Sequence, residues 1–337
     1  MKRVFTLFMA FVWAWTASAQ MMPDSTVQVC AYWEVGEKYN FRVEESKYKV
    51  DNQTDTSAVE LSAHLLTLEV VDATDSTYRV RVKTDDYQHS DYARDAMTED
   101  ITRRFGNLPY EFETDEYGVF KRILISDAEM AAVYPLMDAI ADKSAESRNL
   151  DEEGRAAVKQ LMRAMFTRER IVQLYEQEVT PLLGMFGIRV TPDEKVDYQM
   201  EVSSPFGDGS LIVWNGAFWA DKELTDDYSV VMVNEAEADG ESMRKYLAAF
   251  LGTMFDALGD KADDNLRTET EAVVEGDTKI SLTESAVEEI HLDTGWPLSF
   301  DYERILWIKA GDLEREQVET KTITILLEDD EEQETVE

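Results

Sequence analysis

One cysteine, three histidines and seven prolines are spread over 337 residues. With Cys30 alone no intrachain disulfide can form, so this is not a disulfide-stapled fold. The histidines show no His-Glu-x-x-His or His-x-His spacing, which leaves a zinc hydrolase or a Ser-His-Asp triad without an anchor. Basic residues are also short: 33 Lys and Arg stand against 70 Asp and Glu, a net charge of −37. Such a surface repels phosphate backbones and anionic lipid, and it excludes nucleic acid as a partner. Apolar runs never reach the ~18 residues that read as a membrane-spanning helix.

What the chain does have begins with Met1-Lys2-Arg3 and an apolar run from Val4 to Thr16. Ala17-Ser18-Ala19 follows with the small residues a signal peptidase reads, so residues 1–19 are expected to be a cleaved secretory signal, with Gln20 first in the mature chain. The expected location is periplasmic or extracellular. Cys30 lies well past that site behind Val27-Gln28-Val29, which does not fit a lipidation box; a half-buried thiol in the first strand is expected instead. Asn52-Gln53-Thr54 is a glycosylation sequon and equally a polar turn. Glu328 to Glu337 carries seven acids and no base, the pattern of a self-repelling disordered tail.

With 44% hydrophobic residues, 14 Tyr, 14 Phe and 7 Trp, the rest can bury a core despite its charge. Tyr39, Phe41 and Val43 alternate with Asn40, Arg42 and Glu44; Tyr78, Val80 and Val82 alternate with Arg79, Arg81 and Lys83. Period two marks half-buried strands. A strand from Val59 to Val71 lies between them, and a hairpin crosses Asp115-Glu116-Tyr117-Gly118. Ser126-Asp127-Ala128-Glu129 is a capping box for a helix that Pro135 should kink or interrupt. A second helix is expected from Asp151 to Leu183, and a third from Asp239, with Met243, Tyr246, Leu247 and Phe250 on its apolar stripe. Strands are expected at Val196–Val202, Leu211–Trp214 and Tyr228–Val233, then near 266–274, 278–292, 298–309 and 316–327.

Segregated strands and helices give an α+β expectation: a long curved antiparallel sheet, an incomplete barrel in one version, with helices packed on one face. Residues 20–327 are read as one domain, with two diverged halves (20–150 and 190–327) joined by the helical segment 126–184 as an open alternative.

Five stretches are candidates for chemistry. Asp293-Thr294-Gly295 matches the aspartic-protease triplet, but Trp296 replaces the small residue expected next and no second copy exists; a hairpin turn is the preferred reading. Glu235-x-Glu237-x-Asp239-Gly240 resembles the start of a calcium loop, but Tyr246 stands where the closing bidentate Glu belongs, so a helix cap is preferred. Asp85, Asp86, His89, Asp91 and Asp95 cluster without ligand spacing, and Ser210 lacks a nucleophile elbow. Trp214-Asn215-Gly216-Ala217-Phe218-Trp219 is the most aromatic stretch: exposed, Trp214, Phe218 and Trp219 would form a binding platform, and buried, they would fill a strand edge. No catalytic residue, metal site or cofactor is expected.

The Gly36-x-x-Tyr39 strand, the Asp115 to Gly118 hairpin leading into helices, and the late Asp293-Thr294-Gly295 hairpin resemble secreted bacterial proteins of unknown function. The architecture is similar to the half-barrels of periplasmic lipoprotein carriers. That resemblance implies an envelope or binding role rather than catalysis. The expected function is therefore a non-enzymatic secreted or periplasmic protein that binds an apolar ligand or an envelope partner. A carboxylate-dependent hydrolase and an acidic structural or surface protein are the alternatives.

Overall fold

The computed structural model describes residues 26–51, 55–89, 108–147, 150–165, 167–203, 211–225, 228–247, 249, 278–310 and 313–327. The expected signal segment, the sequon, Asp91, Asp95, Ser210, the strand expected near 266–274, the expected third helix beyond residue 249 and the acidic run at 328–337 all lie outside them.

Eleven strands form one antiparallel sheet, and the sheet does not close. Its first meander runs through β2 (Lys38–Asp51), β3 (Asp55–Ala73), β4 (Thr77–His89), β5 (Tyr110–Asp115) and β6 (Phe120–Leu124). The second runs through β8 (Val196–Ser203), β9 (Leu211–Ala220), β10 (Ser229–Ala238), β11 (Lys279–His291), β12 (Pro297–Ala310) and β13 (Leu313–Leu326). The two meanders meet where β13 pairs with β2, so among the described residues β6 and β8 are the open edges. β1 (Val27–Gln28) and β7 (Arg189–Val190) form a separate two-stranded pair.

The strands outrun the apolar runs that announced them: β9 reaches Ala220 and β10 reaches Ala238. A ladder needs only backbone groups, so it continues where side chains turn polar. Helix α1 (Asp127–Ser147) starts on the capping box, with Glu129 N–H donating to Ser126 Oγ at 3.2 Å. It runs through Pro135 without interruption. Pro135 and Ala131, whose carbonyl it frees, are both exposed, while Val133 and Met137 bury the opposite face. Water can therefore satisfy the orphaned carbonyl. The expected second helix is broken into α2 (Glu152–Met165), α3 (Arg168–Val179) and a 3₁₀ turn, Thr180–Leu183. The break is chemical: Thr167 is extended and its hydroxyl accepts from Arg170 N–H, starting a new helix.

The core lies on one face of the sheet, called inner below. Phe41 and Val43 of β2, Leu66 and Leu68 of β3, Val80 and Val82 of β4, Met232 of β10, Ile290 of β11 and Ile323 of β13 all belong to it. Leu182, Leu183 and Phe186 pack on the same cluster. Further along the strands the same face changes character. Alternation carries β2 from Val43 to Glu45 and Lys47, β13 from Ile323 to Lys321 and Glu319, and β12 from Phe300 to Tyr302 and Arg304. These pair across strands: Glu45 with Lys321 at 3.1 Å, Lys47 with Glu319 at 2.7 Å, and Arg304 Nε with Glu284 at 2.7 Å. A second small core, Ile212, Trp214, Ala238 and Met243, sits under the helical segment 240–247.

Candidate functional site

Four places combine burial, charge or exposed apolar surface in ways a bland core does not require. The first is the Asp293-Thr294-Gly295 hairpin. It joins β11 to β12, as a turn should, and Asp293 is exposed at its tip. Thr294 Oγ1 lies 2.9 Å from His291 Nδ1 and accepts from Trp296 N–H at 3.3 Å. The turn holds the chain's early segment: Tyr32 N–H donates to Thr294 O at 3.2 Å, and Trp33 Nε1–H to Gly295 O at 3.3 Å. Trp33 stacks on Trp296 with centroids 4.7 Å apart. This is a structural clasp. Cys30 lies beside it, past the end of β1 and buried rather than half-buried, and burial pushes its thiol pKa up.

The second place is a buried polar cluster under α3. Glu178 accepts from Tyr110 OH at 3.1 Å and from Thr84 Oγ1 at 3.2 Å. His64 Nε2 stands 3.5 Å from Glu178 Oε1, close enough for ionic attraction but without hydrogen-bond alignment. Tyr175 stacks on Tyr110 at 4.0 Å, and Tyr87 lies against His64 at 4.8 Å. Burial alone would push the Glu178 carboxyl up; the His64 ring, the Tyr110 hydroxyl and the more distant Lys321 outweigh it and hold the carboxyl below its ordinary range. Burial and the Glu178 charge push Tyr175 up to about 12. No local pattern marks this cluster, because its members come from β3, β4, β5 and α3.

Glu178→Leu should cost about 3 kcal/mol or more, since it strands two hydroxyls and an imidazole in the interior. Glu178→Gln, which keeps an acceptor, should cost less. A carboxyl held low when folded stabilises above its unfolded value of 4.5 and loses that contribution as pH falls through the folded value. Urea titrations at pH 7 and pH ~3 should therefore show wild type losing more stability to acid than Glu178→Gln. Equal acid sensitivity would refute the assignment.

The third place is Glu288 on β11. It faces inward, 1% exposed, with Met232 and Phe300 opposite it on the flanking strands. Its Oε1 has no hydrogen-bond partner. Burial raises its pKa to about 8.

The fourth place is the open edge at β8, the part of the sheet next to the aromatic stretch. Val196, Tyr198, Met200 and Val202 alternate onto the inner face, opposite Phe218, Gly216, Trp214 and Ile212 of β9. Three of them are exposed to an unusual degree for such residues: Val196 39%, Met200 47% and Val202 38%. The Tyr198 ring lies over Gly216, where a Cβ would come within 2.4 Å of it, and its hydroxyl donates to Asn234 Oδ1 at 2.9 Å. Trp214 is buried under the helical segment 240–247, and Phe218 packs against the main core. Trp219 points to the other face, where Lys195 Nζ sits 3.7 Å from its ring centroid. The three aromatics thus do not form one platform: Trp214 and Phe218 share a face, and Trp219 does not. Glu235 and Glu237 lie within β10, and Asp239 Oδ1 accepts from Ser242 N–H at 2.9 Å, which is a helix cap. Among the described residues no group of three or more His, Cys, Asp or Glu side chains could hold a metal ion.

Among the described residues these features define the class: an open antiparallel sheet of eleven strands with a few helices and one edge strand that carries exposed apolar side chains. No family model and no curated protein matches the chain. Among the solved structures that align with it are two of different kinds. A lipovitellin structure titled for lipid–protein interactions shows 7% identity over 87% of this chain, with a TM-score of 0.37; the alignment spans only 25% of that chain. OccK2 (OpdF) of Pseudomonas aeruginosa in complex with glucuronate shows 6% identity over 89% of this chain and 99% of that one, with a TM-score of 0.16. No helix among the described residues is long and apolar enough to cross a membrane.

Proposed function

We propose that this chain is an exported, non-enzymatic binding protein that takes up an extended partner segment along its β8 edge. The observation that carries this reading is the exposed alternate row Val196, Met200 and Val202 on a strand that ends the sheet. An open edge is a template for another strand, and proteins commonly blunt it with short strands, Lys or Pro. The opposite edge is blunted in that way: β6 is five residues long and carries Lys121 and Arg122. β8 has eight residues and neither Lys, Arg nor Pro. A bound strand would complete the ladder by main-chain hydrogen bonds and cover the apolar row. The export, the envelope location and helices closing over one face of the sheet belong to the same proposal.

The probe is a labelled ten-residue peptide alternating Val and Thr. It should bind the full chain and slow amide exchange in residues 196–203. Met200→Asp should weaken it roughly tenfold or more, because a charge then faces an apolar contact. Unchanged exchange in β8 at saturating peptide sinks the proposal.

A further inference from the structure

We infer that the segment taken up at β8 alternates apolar with basic residues. This rests on the edge-binding reading above and adds the chemistry of the partner.

A strand has two sides, and β8 presents a different chemistry on each. Val196, Tyr198, Met200 and Val202 face inward, while Asp197, Gln199 and Glu201 face outward. In a paired strand, residues directly opposite share a face. A partner's inward side chains therefore meet the apolar row, and its outward ones meet Asp197 and Glu201. Both carboxylates are exposed, and no cation among the described residues pairs with either. Behind them Asp197, Glu235, Glu237 and Glu303 line a groove on the outer face. The nearby Lys195 is engaged, 3.7 Å from Glu235 and over the Trp219 ring. The field along this edge is thus negative, in a chain of net charge −37. Acidic residues opposite β8 would be repelled, and Lys or Arg attracted. A second copy fits worse, because its own β8 brings the same acid face against this one. An anionic lipid surface is repelled by the same field.

The test uses three labelled peptides with Val at alternate positions and Lys, Thr or Glu between them, titrated by fluorescence anisotropy against the full chain. Amide exchange of residues 196–203 locates the binding. The Lys peptide should bind roughly tenfold tighter than the Thr peptide at low salt, and the advantage should shrink near ~0.5 M NaCl. The Glu peptide should not bind. Asp197→Asn with Glu201→Gln should abolish the Lys peptide's advantage over the Thr peptide. Equal binding of Lys and Thr peptides, no effect of that double variant, or Lys-peptide binding without protection of β8 overturns the basic partner while edge binding stands on the Thr peptide. Failure of every peptide to protect β8 overturns both readings. A dimer in light scattering that protects β8 by itself overturns the basic partner in favour of a second copy.

Discussion

Glu288→Leu should raise stability clearly at pH 8 and very little at pH 5. The carboxyl is buried between Met232 and Phe300 with Oε1 unpartnered, so folding favours its neutral form. Its pKa is raised by burial from 4.5 to about 8. Across that window the folded state holds a proton that the unfolded state has lost, so stability falls as pH rises. The full gap corresponds to about 5 kcal/mol, at roughly 1.4 kcal/mol per pKa unit. Below 4.5 both states are protonated and the penalty is absent. Leucine fills a similar volume and neither titrates nor needs a partner. Urea unfolding of both proteins at pH 5, 6.5 and 8 checks this. Curves that stay parallel across pH would show that Glu288 does not titrate in that range.

Gly295→Ala should be among the most damaging single changes in the chain. Gly295 has φ of +68°, and a Cβ there would stand 2.1 Å from Cys30 O and 3.0 Å from Ala31 Cα. Both obstacles are backbone, so the turn and the early segment must separate. The left-handed conformation alone costs about 1–2 kcal/mol for a residue with a Cβ. Separation also breaks the Trp33 Nε1–H to Gly295 O bond and unstacks Trp33 from Trp296. The expected total is about 3 kcal/mol or more, a melting temperature lower by on the order of 10 °C. Near-ultraviolet circular dichroism should lose its tryptophan signal at lower temperature in the variant. The neighbouring Asp293→Asn is the control: its exposed side chain sits at the turn, and it should cost no more than about 1 kcal/mol. A Gly295→Ala protein as stable as that control would show that the turn does not hold the early segment.

The residue pattern by itself determined the local elements. Period two in Tyr39-Phe41-Val43 and Tyr78-Val80-Val82 placed β2 and β4, the capping box placed the start of α1, and Asp115 to Gly118 and Asp293-Thr294-Gly295 placed two hairpins. These were legible because a strand's faces, a helix cap and a turn are each set by neighbours a few residues apart. Helix breaks were less legible: Thr167 ends one helix and begins another within a stretch of continuous helical periodicity, and Pro135 interrupts nothing because its freed carbonyl faces water.

Only the tertiary structure decided which edges stay open and which carboxylates lie inside. Glu178 and Glu288 look like any other of the chain's acids in sequence. One became a hydrogen-bonded anion because β3, β4 and β5 deliver His64, Thr84 and Tyr110 to it, and the other a neutral acid because β10 and β12 deliver Met232 and Phe300. The same holds for Val196, Met200 and Val202: the strand was expected, but their exposure follows from β8 ending the sheet among the described residues. Burial and pairing depend on contacts between residues far apart in the chain, and no local pattern carries that information.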